Sequence, residues 1–283
     1  MRVLFPEQFN LSEFPKLENL AAMMDEFEKR AVRPFVGKQV YGGFRHGSNT
    51  TGGATIMSDS DYFLVVNNER HNEVVHRVIK EIYAKTFVFI ECVPYFADSV
   101  GKGYIRLEDL FILTLNSSIK KHGFIGENPV ALFQSPPVGL SFEQDVHESL
   151  EHYINRLDRS YNDQVKGEAY RFTLLKEILN KPFDAMRNML QYYRHVHGMD
   201  TDFNDSKPAM LEQYGEYFKG HRGLVRTIKR IYSVMLSYVD FVESSMKKYM
   251  RLDGYMAKLD EIEALFRPAR HFIRENSKLI VEK

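Results

Sequence analysis

The sequence predicts an α+β chain in two parts: a small mixed sheet flanked by helices over residues 1–137, then an all-α bundle over residues 138–283. Three observations predict it. Hydrophobic spacing in the first half switches repeatedly between helical and strand-like periods. In the second half it stays helical almost throughout. Between them, Pro136-Pro137 followed by Gly139 interrupts any regular element and marks the boundary.

The elements follow in order. Leu17, Leu20, Ala21, Met24, Phe27 and Ala31 recur at helical spacing, so residues 17–36 form an amphipathic helix. Residues 38–44 read as a short strand running into Gly47-Ser48, and residues 59–66 as a second strand. A second helix covers 72–84, and a third strand covers 87–93, stopped by Pro94. A hairpin is expected next, turning near Gly101 and Gly103 and returning through Tyr104 to Leu107. Beyond the boundary, helices are expected over 142–157, 168–179, 183–196 and 210–218. A long helix follows, with Leu224, Ile228, Ile231, Met235, Tyr238 and Val242 on one stripe.

Composition narrows the class. The 283 residues are 44% hydrophobic and 27% charged, as in ordinary globular proteins. Basic and acidic residues number 38 each, so no long-range field draws the chain to nucleic acid or to an anionic membrane. One cysteine, Cys92, rules out an internal disulfide and a multi-cysteine zinc site, and reads as a core residue. Nothing resembles a signal peptide or a membrane span, so a cytoplasmic protein is expected.

Chemistry concentrates between Gly47 and Asp61. A strand ends in Gly47-Ser48, a glycine-containing loop follows, and Asp59-Ser60-Asp61 opens the next strand. Gly47 lets backbone approach a phosphate, and Ser48 offers a hydroxyl and an amide to its oxygens. Asp59 and Asp61, two apart on a strand, project from one face. Paired hard oxygens of that kind suit magnesium, which keeps water and phosphate oxygens in its other positions. Glu91, an acid inside the apolar run 87–93, is the expected third carboxylate, as metal ligand or proton acceptor. Its surroundings predict burial, and hence a cation partner or a retained proton.

Gly-Ser, about ten further residues, Asp-x-Asp and a later acid resemble the signature of the DNA-polymerase-β-like nucleotidyltransferases. The stretch from Asp109 to Thr114, with His122-Gly123-Phe124-Ile125-Gly126 and Phe142-Glu143-Gln144-Asp145, is similar to the segment joining the two domains of the streptomycin/spectinomycin adenylyltransferases. The resemblance implies Mg²⁺, ATP as co-substrate, and transfer of AMP to a hydroxyl-bearing acceptor, a small molecule of the aminoglycoside type. It also implies triphosphate contacts by Arg194 and Lys207, and an acceptor contact by Asp184. The chain departs from that family in having one acid around Asp184 instead of a cluster, and no tryptophan.

Two other classes compete. The same chemistry directed at RNA, protein or another nucleotide is one, although neutral charge disfavours long RNA. A nucleotide-binding module without turnover is the other. The run Lys219, Arg222, Arg226, Lys229 and Arg230 reads as a solvated face open to an acidic partner.

Overall fold

A computed structural model describes residues 17–47, 60–86, 88, 90–105, 107–133, 142–200, 206–245 and 252–281. The chain divides into two compact units, Arg2–Gly139 and Leu140–Lys283. The first holds a small mixed sheet with helices, and the second is largely helical.

In the first unit α1 (Leu17–Phe27) runs into a wide π-helical turn, Glu28–Val32, and a 3-10 turn, Arg33–Phe35. Strands β1 (Val40–His46) and β2 (Ser60–Val66) pair antiparallel, and α2 (His71–Thr86) follows. Short segments β3 (Ile90–Glu91) and β4 (Tyr95–Phe96) both lie parallel to β2. After α3 (Ala97–Gly101) and α4 (Asp109–His122), β5 (Ile125–Gly126) joins the outer edge of β1.

Strand alternation gives the sheet two buried faces. Tyr62, Leu64 and Val66 point into a core with Leu20, Met24 and Phe27 of α1 and Val75, Val78 and Ile82 of α2. Phe63 and Val65 point the other way, into a core with Phe44, Leu115 of α4, Val100 and Phe133. No residue from Tyr62 to Val66 exposes more than 3% of its surface. β2 therefore reads as a nearly continuous apolar run, as strands covered on both sides do.

Two expected elements differ. The hairpin around Gly101 and Gly103 is absent among the described residues. Residues 97–101 are helical, Gly103 ends the turn at φ +74°, and Tyr104 is exposed. Glycine marks a helix end as readily as a hairpin turn, and spacing alone does not separate the two. The third strand is shorter than expected: Ile90–Glu91 pairs with the start of β2, and Tyr95–Phe96, beyond Pro94, pairs with its end.

In the second unit α5 (Phe142–Asp163) and α6 (Glu168–Val196) form a helical hairpin through the tight turn 164–167. Then come α7 (Lys207–Tyr217), α8 (Arg222–Ser245), α9 (Leu252–Glu263) and α10 (Phe266–Val281), with α10 packed against both α5 and α6. The two helices expected over 168–179 and 183–196 are one, with Pro182 inside it. Proline there removes a single rung of the ladder. Leu174, Leu175, Ile178, Leu179, Met186, Met189 and Leu190 are buried on both sides of it, so packing holds the helix together. Among the described residues no helix is long and apolar enough to cross a membrane.

Candidate functional site

Sheet register assembles the site. Asp61 is the second residue of β2, and its Cα partners are His46 on β1 and Glu91 on β3. Partnered residues project from the same face, and neighbouring strands stand about 4.8 Å apart. His46, Asp61 and Glu91 thus form a row across the same end of three strands, on the face that carries Phe44 and Phe63. The His46 ring lies 6.3 Å from Phe44, 6.5 Å from Phe63 and 6.2 Å from Phe111 of α4, which floors this end of the row with aromatic rings.

Gly47 closes the row from the side of β1. Its φ of +78° is a conformation that favours glycine. A Cβ at this position would stand 1.9 Å from Asp61 Oδ2, so backbone and carboxylate are in direct apposition. Both features demand the missing side chain.

Glu91 differs from its expected setting. Ile90 and Cys92 are buried in the first core, but Glu91 between them is exposed. The apolar run alternates: its neighbours face inward and the acid faces out, toward the row. No buried cation is needed to hold its charge. Burial pushes the Cys92 thiol well up, so it remains protonated and acts as packing.

Ser48 and Asp59 lie outside the described residues. Among the described residues, no three His, Cys, Asp or Glu side chains close on a point that could hold a metal ion. The donors present nevertheless fit magnesium in kind. Asp61 and Glu91 are hard carboxylates in register on adjacent strands, and the first packs directly on the bare backbone of Gly47.

His46 is the site residue that motif reading overlooks. Nothing in its immediate neighbours marks it. The available signal was topological: if the strands on either side of the 47–59 loop pair antiparallel, the residue before Gly47 falls opposite Asp61.

The remaining expected residues belong to the helical unit. Arg194 donates to the Asp200 carbonyl and to Tyr217 Oη at 3.1 Å, tying the end of α6 to α7. Lys207 opens α7, with its Nζ 5.3 Å from the centre of the Phe183 ring. Asp184 accepts from Lys181 Nζ at 2.6 Å, and Arg187 Nη1 stands 3.8 Å from its other oxygen. Burial works to raise the Asp184 carboxyl, but Lys181, Arg187 and Lys207 outweigh it and hold it below the usual carboxylate range. Asp184 is thus already engaged by cations of its own chain, and a cationic acceptor would have to displace them.

Compared with models of known protein families and with the sequences of curated proteins, the chain matches none.

Proposed function

We propose that the chain is a magnesium-dependent nucleotidyltransferase that moves AMP from ATP to a hydroxyl of a small acceptor and releases pyrophosphate. The observation that carries the reading is the apposition of Gly47 and Asp61, with Glu91 in register beside them. With no side chain of its own, Gly47 lets the first of two in-register carboxylates pack against the end of β1. Bound there by Asp61 and Glu91, with Asp59 as the third ligand the motif implies, magnesium would neutralise charge on the phosphates.

The chain's own residues do the rest. Gly47 gives the Asp61 carboxylate the space that a side chain would fill. Glu91 serves either as metal ligand or as acceptor of the hydroxyl proton while the acceptor oxygen bonds to the α-phosphorus and the bond to pyrophosphate breaks. The aromatic floor beneath His46 limits water on one side of the reacting atoms. Arg194 and Lys207 enter as triphosphate contacts through the family resemblance alone.

The test is pyrophosphate release from ATP and Mg²⁺ across a panel of hydroxylated small molecules, with Asp61→Asn as the control. Release that needs both Mg²⁺ and Asp61 supports the proposal. Failure of the wild-type chain to bind ATP in the presence of Mg²⁺ would end it. A second reading, the same transfer to a nucleic-acid hydroxyl, draws on one observation. Lys219, in the turn before α8, and Arg222, Arg226, Lys229 and Arg230 along its start are all exposed. An RNA arm in the same assay separates the two.

A further inference from the structure

We propose that Lys181, Arg187 and Lys207 form a phosphate-binding site in the helical unit, with Asp184 acting as the strut that holds the cations apart. On α6, Asp184 lies three residues from each of Lys181 and Arg187, so it stands between them around the helix. One carboxylate oxygen takes the Lys181 ammonium and the other faces Arg187. Two cations share one anion. The Lys181 side chain is only 15% exposed and that of Arg187 30%. Phe183, Ala185 and Met186 around them are buried, and the Tyr153 ring lies 5.0 Å from Lys181 Nζ. Positive charge left over in such a setting is costly until an anion joins it.

A second observation points the same way. Among the described residues, Arg187 Nε is buried with no hydrogen-bond partner, and Nη1 makes the long contact to Asp184. The guanidinium therefore keeps an N–H in hand, in the fork geometry that suits a phosphate. Lys207, against the adjacent Phe183, brings a third cation to the same corner. A dianion with several oxygens matches this set better than a singly charged carboxylate ligand. The ligand class is a phosphate group, whether the nucleotide's own or one carried by the acceptor. The inference reverses the expected role of Asp184: it positions cations and does not bind one from the substrate.

The experiment is calorimetric titration of the full chain with inorganic pyrophosphate at fixed ionic strength, in excess chelator, with acetate as the comparison anion. Pyrophosphate should bind and acetate should not. Lys181→Gln and Arg187→Gln should each weaken binding about tenfold. Asp184→Asn, which removes the strut, should weaken pyrophosphate binding severalfold, where a cation-seeking site would show no response to pyrophosphate at all. If Arg187→Gln does not fold, Arg187→Lys keeps the charge without the fork and should still weaken binding severalfold. Metal-free ATP that competes with pyrophosphate assigns the site to the nucleotide. Simultaneous binding assigns it to a phosphorylated acceptor. No heat from pyrophosphate in a chain with a normal melting transition, or equal binding of acetate, overturns the proposal. The readout needs neither a divalent cation nor turnover, so its failure and that of the transferase reading are separate events.

Discussion

Gly47 and Asp61 are placed so that a single methyl group on the first would lie 1.9 Å from Oδ2 of the second. Gly47→Ala therefore forces the carboxylate away and also puts alanine at φ +78°. A non-glycine residue in that region costs about 1–3 kcal/mol. The variant should melt a few degrees lower and lose Mg²⁺-dependent pyrophosphate release by more than about a hundredfold. Melting curves and a coupled pyrophosphate assay check both.

Asp61→Asn keeps the shape and removes the charge. Nucleotide turnover should fall by more than about a hundredfold while thermal stability stays within roughly 0.5 kcal/mol of wild type. Glu91→Gln, on an exposed side chain, should be equally harmless to stability. Unchanged turnover in the Asp61 variant would detach the strand row from catalysis.

Glu28 is a fold determinant on the opposite face of the sheet. Its carboxylate, 4% exposed, accepts from Arg45 Nε at 2.7 Å, from Arg45 Nη2 at 2.9 Å and from Arg33 at 3.0 Å. Arg45 also pairs with Asp25. Removing one partner of a buried pair leaves the other uncompensated. Glu28→Ala should cost about 3 kcal/mol in urea unfolding, the lower end of the range for such pairs, because Asp25 still reaches Arg45.

His71 sets a pH response. The ring is buried, its Nε2 donates to the Ala31 carbonyl at 2.6 Å, and its Nδ1 faces the Gln39 amide at 3.0 Å. Burial lowers its pKa from 6.5, against the opposing pull of the Ala31 carbonyl. Between the folded and unfolded values the unfolded chain binds the extra proton, so stability rises with pH. The contribution is complete above about pH 6.5 and is lost as pH falls below it. Melting temperature measured from pH 7.5 down to 5.5 should fall, and His71→Gln should flatten that part of the profile.

Tyr62 offers the reverse case. Its hydroxyl is buried with no hydrogen-bond partner among the described residues, and burial pushes its pKa up. Deleting an unsatisfied polar group removes a desolvation cost. Tyr62→Phe should therefore be neutral or stabilising by up to about 1 kcal/mol in the same urea experiment.

Periodicity carried most of the fold into view. The stripe on α8 and the apolar run of β2 belong to elements whose burial pattern is written in their own residues. Elements defined by partners were less legible. Residues 97–107 are short and glycine-bounded, and Val100 there is buried in a core shared with Phe44 and Phe63, which come from distant chain. The gap expected between residues 179 and 183 is bridged by one continuous helix, held by packing on either side of Pro182 that the sequence does not display.

The site divides along the same line. Asp61 and Gly47 were visible as candidates because they belong to a local motif, Gly-Ser followed by Asp-x-Asp. His46 was not, because its place opposite Asp61 is a matter of register. The exposure of Glu91 was misjudged because a run of apolar letters hides which ones alternate inward. The engagement of Asp184 by Lys181 and Arg187 follows from helical spacing and was open to inspection in the sequence.

Because β2 is covered on both faces from Tyr62 to Val66, new chemistry cannot be introduced along its length without unpicking a core. Evolutionary or laboratory variation in this unit is channelled to the rim: the leading end of the strand and the loops that meet it. A mutational scan should show an intolerant centre with all functional diversity confined to its perimeter.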